Sequence, residues 1–133
     1  MDVLNLNVLL VDQDPKLLST MKKCLTKNGC TVDCAKNKEE ALKLIEHNSY
    51  QVLVTDITMP DNDGIGLSKA LGRRMPIVML KANDDQRPFE EISNLICCVL
   101  DKSELKQRLA KATWTAFKRF NIDKKISKEI AVA

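Results

Sequence analysis

The 133-residue sequence predicts an α/β fold, a parallel sheet with helices on both faces. Two observations carry that expectation. Five short apolar runs alternate with stretches of helical spacing. The runs are near-continuously apolar rather than alternating with polar residues, as strands buried on both faces are. With 44% hydrophobic and 29% charged residues, 4 glycines and 4 prolines, the chain has the composition of one soluble globular domain, not of a disordered or collagen-like one.

The first strand is expected over Leu6–Val11. Asp14 and Pro15 then stand as helix cap and first helical residue, and Leu17, Leu18, Met21, Cys24 and Leu25 follow at helical spacing. Asn28-Gly29 supplies the stop. A second strand, Cys30–Cys34, puts Cys30, Val32 and Cys34 on one face. Asn37 with Glu40 three residues later has the pattern of a capping box, opening a helix buried through Ala41, Leu42 and Ile45. The third strand, Val52–Thr55, runs into Asp56 and a proline- and glycine-marked turn, followed by a short helix around Gly64–Leu71. Pro76–Leu80 reads as a fourth strand, and Pro88 opens a fourth helix through Leu95. Ile96–Leu100 is the fifth strand, and Ser103–Phe120 the last helix, carrying Leu105, Leu109, Ala112 and Phe117 inward. Trp114 in that helix is expected to pack rather than to bind.

Several function classes fall away on composition. The N-terminus has no basic stretch ahead of a long apolar one, so neither a secretion signal nor a membrane span is expected. The five cysteines, Cys24, Cys30, Cys34, Cys97 and Cys98, are odd in number and form no C-x-x-C pair, which favours free thiols over a disulfide framework or a zinc site. Net charge is +3 but uneven: residues 102–133 carry nine basic and three acidic side chains, and the rest is mildly acidic. The basic end reads as a solvated helix face and a linker, with no direct nucleic-acid binding expected of this domain. No glycine-rich phosphate loop follows the first strand in VDQDPK, and the sole histidine, His47, sits at the end of the second helix, so a nucleotide-binding or histidine-based enzyme is not supported.

In a doubly wound parallel sheet, ligands bind outside the carboxyl ends of the strands, where strand order reverses. The residues found there are Asp12, Gln13 and Asp14 after the first strand, Asp56 after the third, Lys81 after the fourth and Lys102 near the fifth. A carboxylate ending a buried strand is unfavourable unless paired, so Asp56 marks a candidate site. Carboxylates from two strands suit a hard divalent cation such as Mg2+, and lysines beside them suit a phosphate.

The segments VLLVDQDP, VLVTDITMPDNDG, PIVMLKA and VLDKSEL, in this order and spacing, resemble the receiver domain of two-component response regulators over roughly residues 5–118. The resemblance implies a flavodoxin-like, doubly wound five-stranded sheet of order 2-1-3-4-5 with five helices. It implies that Asp56 accepts a phosphoryl group from a phosphohistidine, on a histidine-phosphotransfer protein or a sensor histidine kinase. By the same resemblance Lys102 contacts the phosphoryl group, Asp12 belongs to the acidic metal-binding pair, and the backbone carbonyl of Thr58 is an Mg2+ ligand.

Four positions depart from the family pattern. Gln13 replaces the second acid, so Mg2+ binding is expected to be weak. Lys81 replaces a serine or threonine and has the reach to form an ion pair with Asp56. Val99 replaces the switch aromatic, and Ser103 the proline after the site lysine. Two readings follow: a phosphorelay receiver working through Asp56, or a pseudo-receiver that is not phosphorylated and serves as a constitutive protein-interaction module. Neither is an enzyme in the ordinary sense, and a downstream protein partner is expected for both.

The PDNDG loop, the cysteine content and a tryptophan-bearing last helix with a basic tail are loosely similar to plant response regulators, some of which continue into a nuclear DNA-binding domain. A cytoplasmic or nuclear location is therefore expected. The expected boundaries are a receiver over residues 1–120 and a basic extension or linker over 121–133, either ending a stand-alone receiver or leading to an effector domain absent from this sequence.

Overall fold

The computed structural model describes residues 4–57, 63–82, 96 and 98–132. Its strands are β1 (Asn7–Val11), β2 (Thr31–Ala35), β3 (Val52–Asp56), β4 (Ile77–Lys81) and β5 (Cys98–Asp101). They form one parallel sheet in the order β2-β1-β3-β4-β5. The order reverses between β1 and β3, and this places the switch point between the ends of those two strands. Among the described residues there are four α-helices: α1 (Pro15–Lys27), α2 (Lys38–His47), α3 (Asp63–Leu71) and α4 (Leu105–Val132), the last entered through a 3-10 turn at Lys102–Glu104. The helix expected over Pro88–Leu95, with Cys97 and Thr58, lies outside the described residues.

The caps read from sequence are made. Asp14 Oδ1 accepts hydrogen bonds from the backbone N–H of Lys16 at 3.0 Å and of Leu17 at 3.4 Å, satisfying donors at the start of α1. At its other end Gly29 takes φ +91°, and the N–H groups of Gly29 and Cys30 donate to the carbonyls of Thr26 and Leu25, both at 3.0 Å. This is a Schellman closure, which the missing Cβ of glycine permits. Asn37 Oδ1 accepts from the Glu40 N–H at 2.9 Å, and the Glu40 carboxylate accepts from the N–H of Lys36 rather than of Asn37.

Strand alternation sorts the apolar runs into two cores. Val8, Leu10, Val52, Val54, Val78, Leu80 and Leu100 pack against Leu18, Met21 and Leu25 of α1 and Leu105, Leu109, Ala112 and Ala116 of α4. Leu9, Val11, Leu53 and Ile77 face the other way, against Ala41 of α2 and Leu67 and Leu71 of α3. Cys30 is buried, and Cys24, Cys34 and Cys98 sit half-buried against the first core, all four as free thiols.

Trp114 differs from expectation. It is 38% exposed, its ring 5.7 Å from that of Phe117, on the outer side of α4. The helix also continues past its expected end at Phe120 to Val132. Residues 121–132 contain no proline or glycine to stop it, and local propensity carries the helix beyond the last core contact. Burial still changes near the expected boundary, because every described side chain beyond Phe120 is exposed.

Candidate functional site

Parallel pairing brings the strand ends to one edge. β1 and β3 pair Leu10 with Val54 and Val11 with Thr55, so the next residues, Asp12 and Asp56, stand side by side at the switch point. Both are buried, Asp12 at 0% and Asp56 at 1% exposure. Lys102, the first residue after β5, reaches across: its Nζ lies 2.9 Å from Asp56 Oδ2 and 3.3 Å from Asp12 Oδ2. One ammonium thus answers two buried carboxylates, which is the arrangement their desolvation demands.

Asp12 Oδ1 accepts a hydrogen bond from the Asp14 N–H at 2.9 Å. Its Oδ2 is buried and accepts none; the approach of Lys102 is an ion pair without hydrogen-bond geometry. Burial pushes the Asp12 carboxyl above the usual carboxylate range, and the Asp56 charge adds to this, against the opposing pull of the Asp14 N–H and Lys102. For Lys102, burial disfavours the ammonium, but the Asp56 hydrogen bond and the charges of Asp12 and Asp56 together outweigh it. The amine is held above the ordinary lysine value.

Lys81 is placed differently from the ion pair its length allowed. β3 and β4 pair Asp56 with Leu80, whose side chain shares the α1/α4 core, so Lys81 falls on the alternate side of its strand. There it pairs in register with Asp101 of β5, whose carboxyl is held low chiefly by hydrogen bonds from the Ser103 N–H and hydroxyl, with a smaller pull from the Lys81 charge. Lys81 makes no ion pair within 4 Å among the described residues; it lines an open cleft of about 540 Å³ with Val99, Asp101, Arg108, Lys111 and Arg119. Lys102 is spared this because it continues the side of β5 that carries Leu100.

Gln13 is exposed, and Asp14 is engaged as the α1 cap. Val99 stands 41% exposed on β5. Two contributors were not picked out from sequence. Gly64 lies so close under the end of β3 that a Cβ on it would meet the Asp56 carbonyl oxygen at 2.1 Å and the Ile57 Cα at 3.1 Å. Asp101 caps the turn that carries Lys102, and the signal was present in the Asp-Lys-Ser run where a strand meets a helix. Among the described residues no group of three or more histidine, cysteine or acidic side chains is arranged to hold a metal. The site offers two carboxylates and a lysine.

Comparison with known proteins gives a consistent result. Residues 8–113 match the family model described as the response regulator receiver domain. The chain is 34% identical over 86 residues to the two-component response regulator ARR2 of Arabidopsis thaliana, covering 62% of this chain and 13% of that protein. It is 35% identical over 80 residues to the response regulator MprA of Mycobacterium sp. (strain KMS), covering 58% of this chain and 35% of that protein. Thus it spans about a third or less of these relatives. Among solved structures, the receiver domain of the Francisella response regulator 1452 superposes with a TM-score of 0.74 at 32% identity, over 86% of this chain and 98% of that one.

Proposed function

The chain belongs to the response regulator receiver domain family, and from that membership we propose that it signals by taking a phosphoryl group onto the Asp56 carboxylate. The observation that supports this most is the Asp56–Lys102–Asp12 constellation at the switch point of the sheet, with Lys102 Nζ 2.9 Å from Asp56. The donor is a phosphohistidine of a histidine-phosphotransfer protein or sensor histidine kinase. An Asp56 oxygen attacks phosphorus, the P–N bond breaks, and the departing imidazole takes up a proton, leaving an acyl phosphate on Asp56. Lys102 then faces phosphoryl oxygens instead of a bare carboxylate, and its charge offsets theirs. Lys81 balances charge at the same edge from the Asp101 side.

Asp12 and Asp56 fit a magnesium ion in donor chemistry. Both offer carboxylate oxygens, and Asp12 Oδ2 is buried without a hydrogen bond. By family resemblance the exposed amide of Gln13 and the backbone carbonyl of Thr58 would complete the set of residues that hold the ion. When bound, magnesium supplies positive charge beside the transferring phosphoryl group. A neutral Gln13 keeps its affinity low.

The output is contact with a protein partner. No helix among the described residues is long and apolar enough to cross a membrane, and the proposed setting is cytoplasmic or nuclear. The receiver unit is assigned to residues 1–120 and the helix beyond it to a basic extension or linker. Exposed Val99 and neutral Gln13 favour a second reading, a pseudo-receiver acting through contacts alone. Intact-mass measurement after incubation with Mg2+ and a phosphorylated histidine-phosphotransfer protein separates the two. One added phosphoryl group, lost in Asp56→Ala, is the expected result. No addition, from a donor that phosphorylates an ordinary receiver alongside, makes the chain an interaction module.

A further inference from the structure

Lys102 reaches Asp56 and Asp12 from a turn only one residue beyond β5, and the direction of its side chain depends on how that turn is held. Asp101, the residue before it, is extended, with φ −75° and ψ 135°, and the chain enters the 3-10 turn immediately afterwards. Asp101 Oδ1 accepts two hydrogen bonds from the residue on the other side of Lys102: from the Ser103 N–H at 2.9 Å and from the Ser103 hydroxyl at 2.8 Å. The two neighbours of Lys102 are thereby tied to each other, and Lys102 sits at the apex of the closed ring. A lysine has four rotatable side-chain bonds and surrenders rotamer entropy when fixed. Reaching two buried carboxylates from a mobile turn would add the loss of backbone entropy to that.

We propose that Asp101 is a positioning residue for Lys102, its hydrogen-bonded clamp on Ser103 setting the backbone from which the Lys102 ammonium reaches Asp56 and Asp12. Asp101 itself touches neither carboxylate; it acts through Lys102. Lys81 stands beside the clamp without entering it: it pairs in register with Asp101 across β4–β5 and makes no ion pair within 4 Å among the described residues. The consequence for phosphotransfer rests on the reading of Asp56 as phosphoacceptor, whereas the positioning itself is measured without it.

The test compares wild type, Asp101→Ala, Asp101→Asn and Ser103→Ala in the full chain with EDTA present. The first readout is trace acylation of the Lys102 amine by acetic anhydride, quantified by peptide mass spectrometry against exposed Lys106 as internal reference. Asp101→Ala is expected to raise Lys102 labelling several-fold. Asp101→Asn removes the same charge but keeps the acceptor oxygen, so it is expected to restore the wild-type level and to separate the clamp from simple loss of charge. Ser103→Ala, which deletes only the hydroxyl bond, moves labelling the same way by less. Unchanged labelling in Asp101→Ala, or failure of the asparagine to restore it, overturns the proposal. If Asp101→Ala does not fold, Ser103→Ala decides alone, and no change there overturns it. The second readout, taken separately with Mg2+ in place of EDTA, is the rate of phosphotransfer, expected to fall roughly tenfold in Asp101→Ala and to recover in Asp101→Asn. Labelling that responds as expected in a protein that accepts no phosphoryl group upholds the positioning role and overturns the phosphoacceptor reading.

Discussion

Replacing Lys102 by methionine, which keeps the length and apolar stem but removes the charge, leaves Asp12 and Asp56 facing each other with side chains only 1% exposed. Removing one partner of a buried ion pair costs about 3–5 kcal/mol because the remaining charge stays buried without compensation. The Lys102 side chain is 25% exposed, so water recovers part of that loss, and a deficit of about 2–3 kcal/mol at neutral pH is expected. The deficit has a defined pH dependence. Asp12 is already above the usual carboxylate range through burial, and losing the lysine drives it higher. A raised carboxyl binds more protons folded than unfolded, so stability falls as pH rises from the ordinary aspartate value through the raised one. The variant's deficit should therefore shrink as pH drops from 7 into the upper carboxylate range, where Asp12 takes up a proton. In wild type, the stabilisation contributed by Lys102 is fully present below the ordinary lysine pKa and is lost only as pH climbs through its raised value. Urea unfolding of both proteins with EDTA at pH 7 and pH 5 measures this. A loss below about 0.5 kcal/mol, or one identical at the two pH values, would refute the idea that one ammonium holds two buried carboxylates.

Gly64→Ala gains up to about 1 kcal/mol of helix propensity, but its Cβ runs into the backbone of Asp56 and Ile57, which cannot swing aside as a side chain can. A net loss of about 2–3 kcal/mol in thermal or urea unfolding is expected, and a stabilised variant would show that α3 does not sit so close. Gln13→Asp should tighten magnesium binding roughly tenfold by restoring a second acid beside Asp12, as followed by calorimetry; unchanged affinity would mean that the exposed Gln13 side chain is turned away from the ion. Deleting residues 121–133 should leave stability within about 0.5 kcal/mol, because the described side chains there are all exposed; a larger loss in urea unfolding would show that the extension folds back on the domain.

Where the chain makes strands and helices is decided locally, and the sequence determined it. Uninterrupted apolar runs identify strands buried on both faces, Asp14-Pro15 and Asn28-Gly29 delimit α1, and a carboxylate ending the most buried run singles out Asp56. Strand order and site identity became legible through the resemblance of whole segments to a known family, not through spacing alone. Whether Lys81 joins Lys102 at Asp56 was decided only by the tertiary structure. Lys81 and Lys102 both stand at strand ends and both have the length, but side chains alternate across a strand, and the pairing register matches Asp56 with Leu80 rather than with Lys81. A shift of one residue reverses the side of the sheet a side chain occupies, so Lys81 meets Asp101 while Lys102, one residue past β5, turns towards the carboxylates. The close seat of Gly64 under Asp56 has the same origin: it depends on how near a helix packs to a strand end, a distance that exists only once the two are brought together.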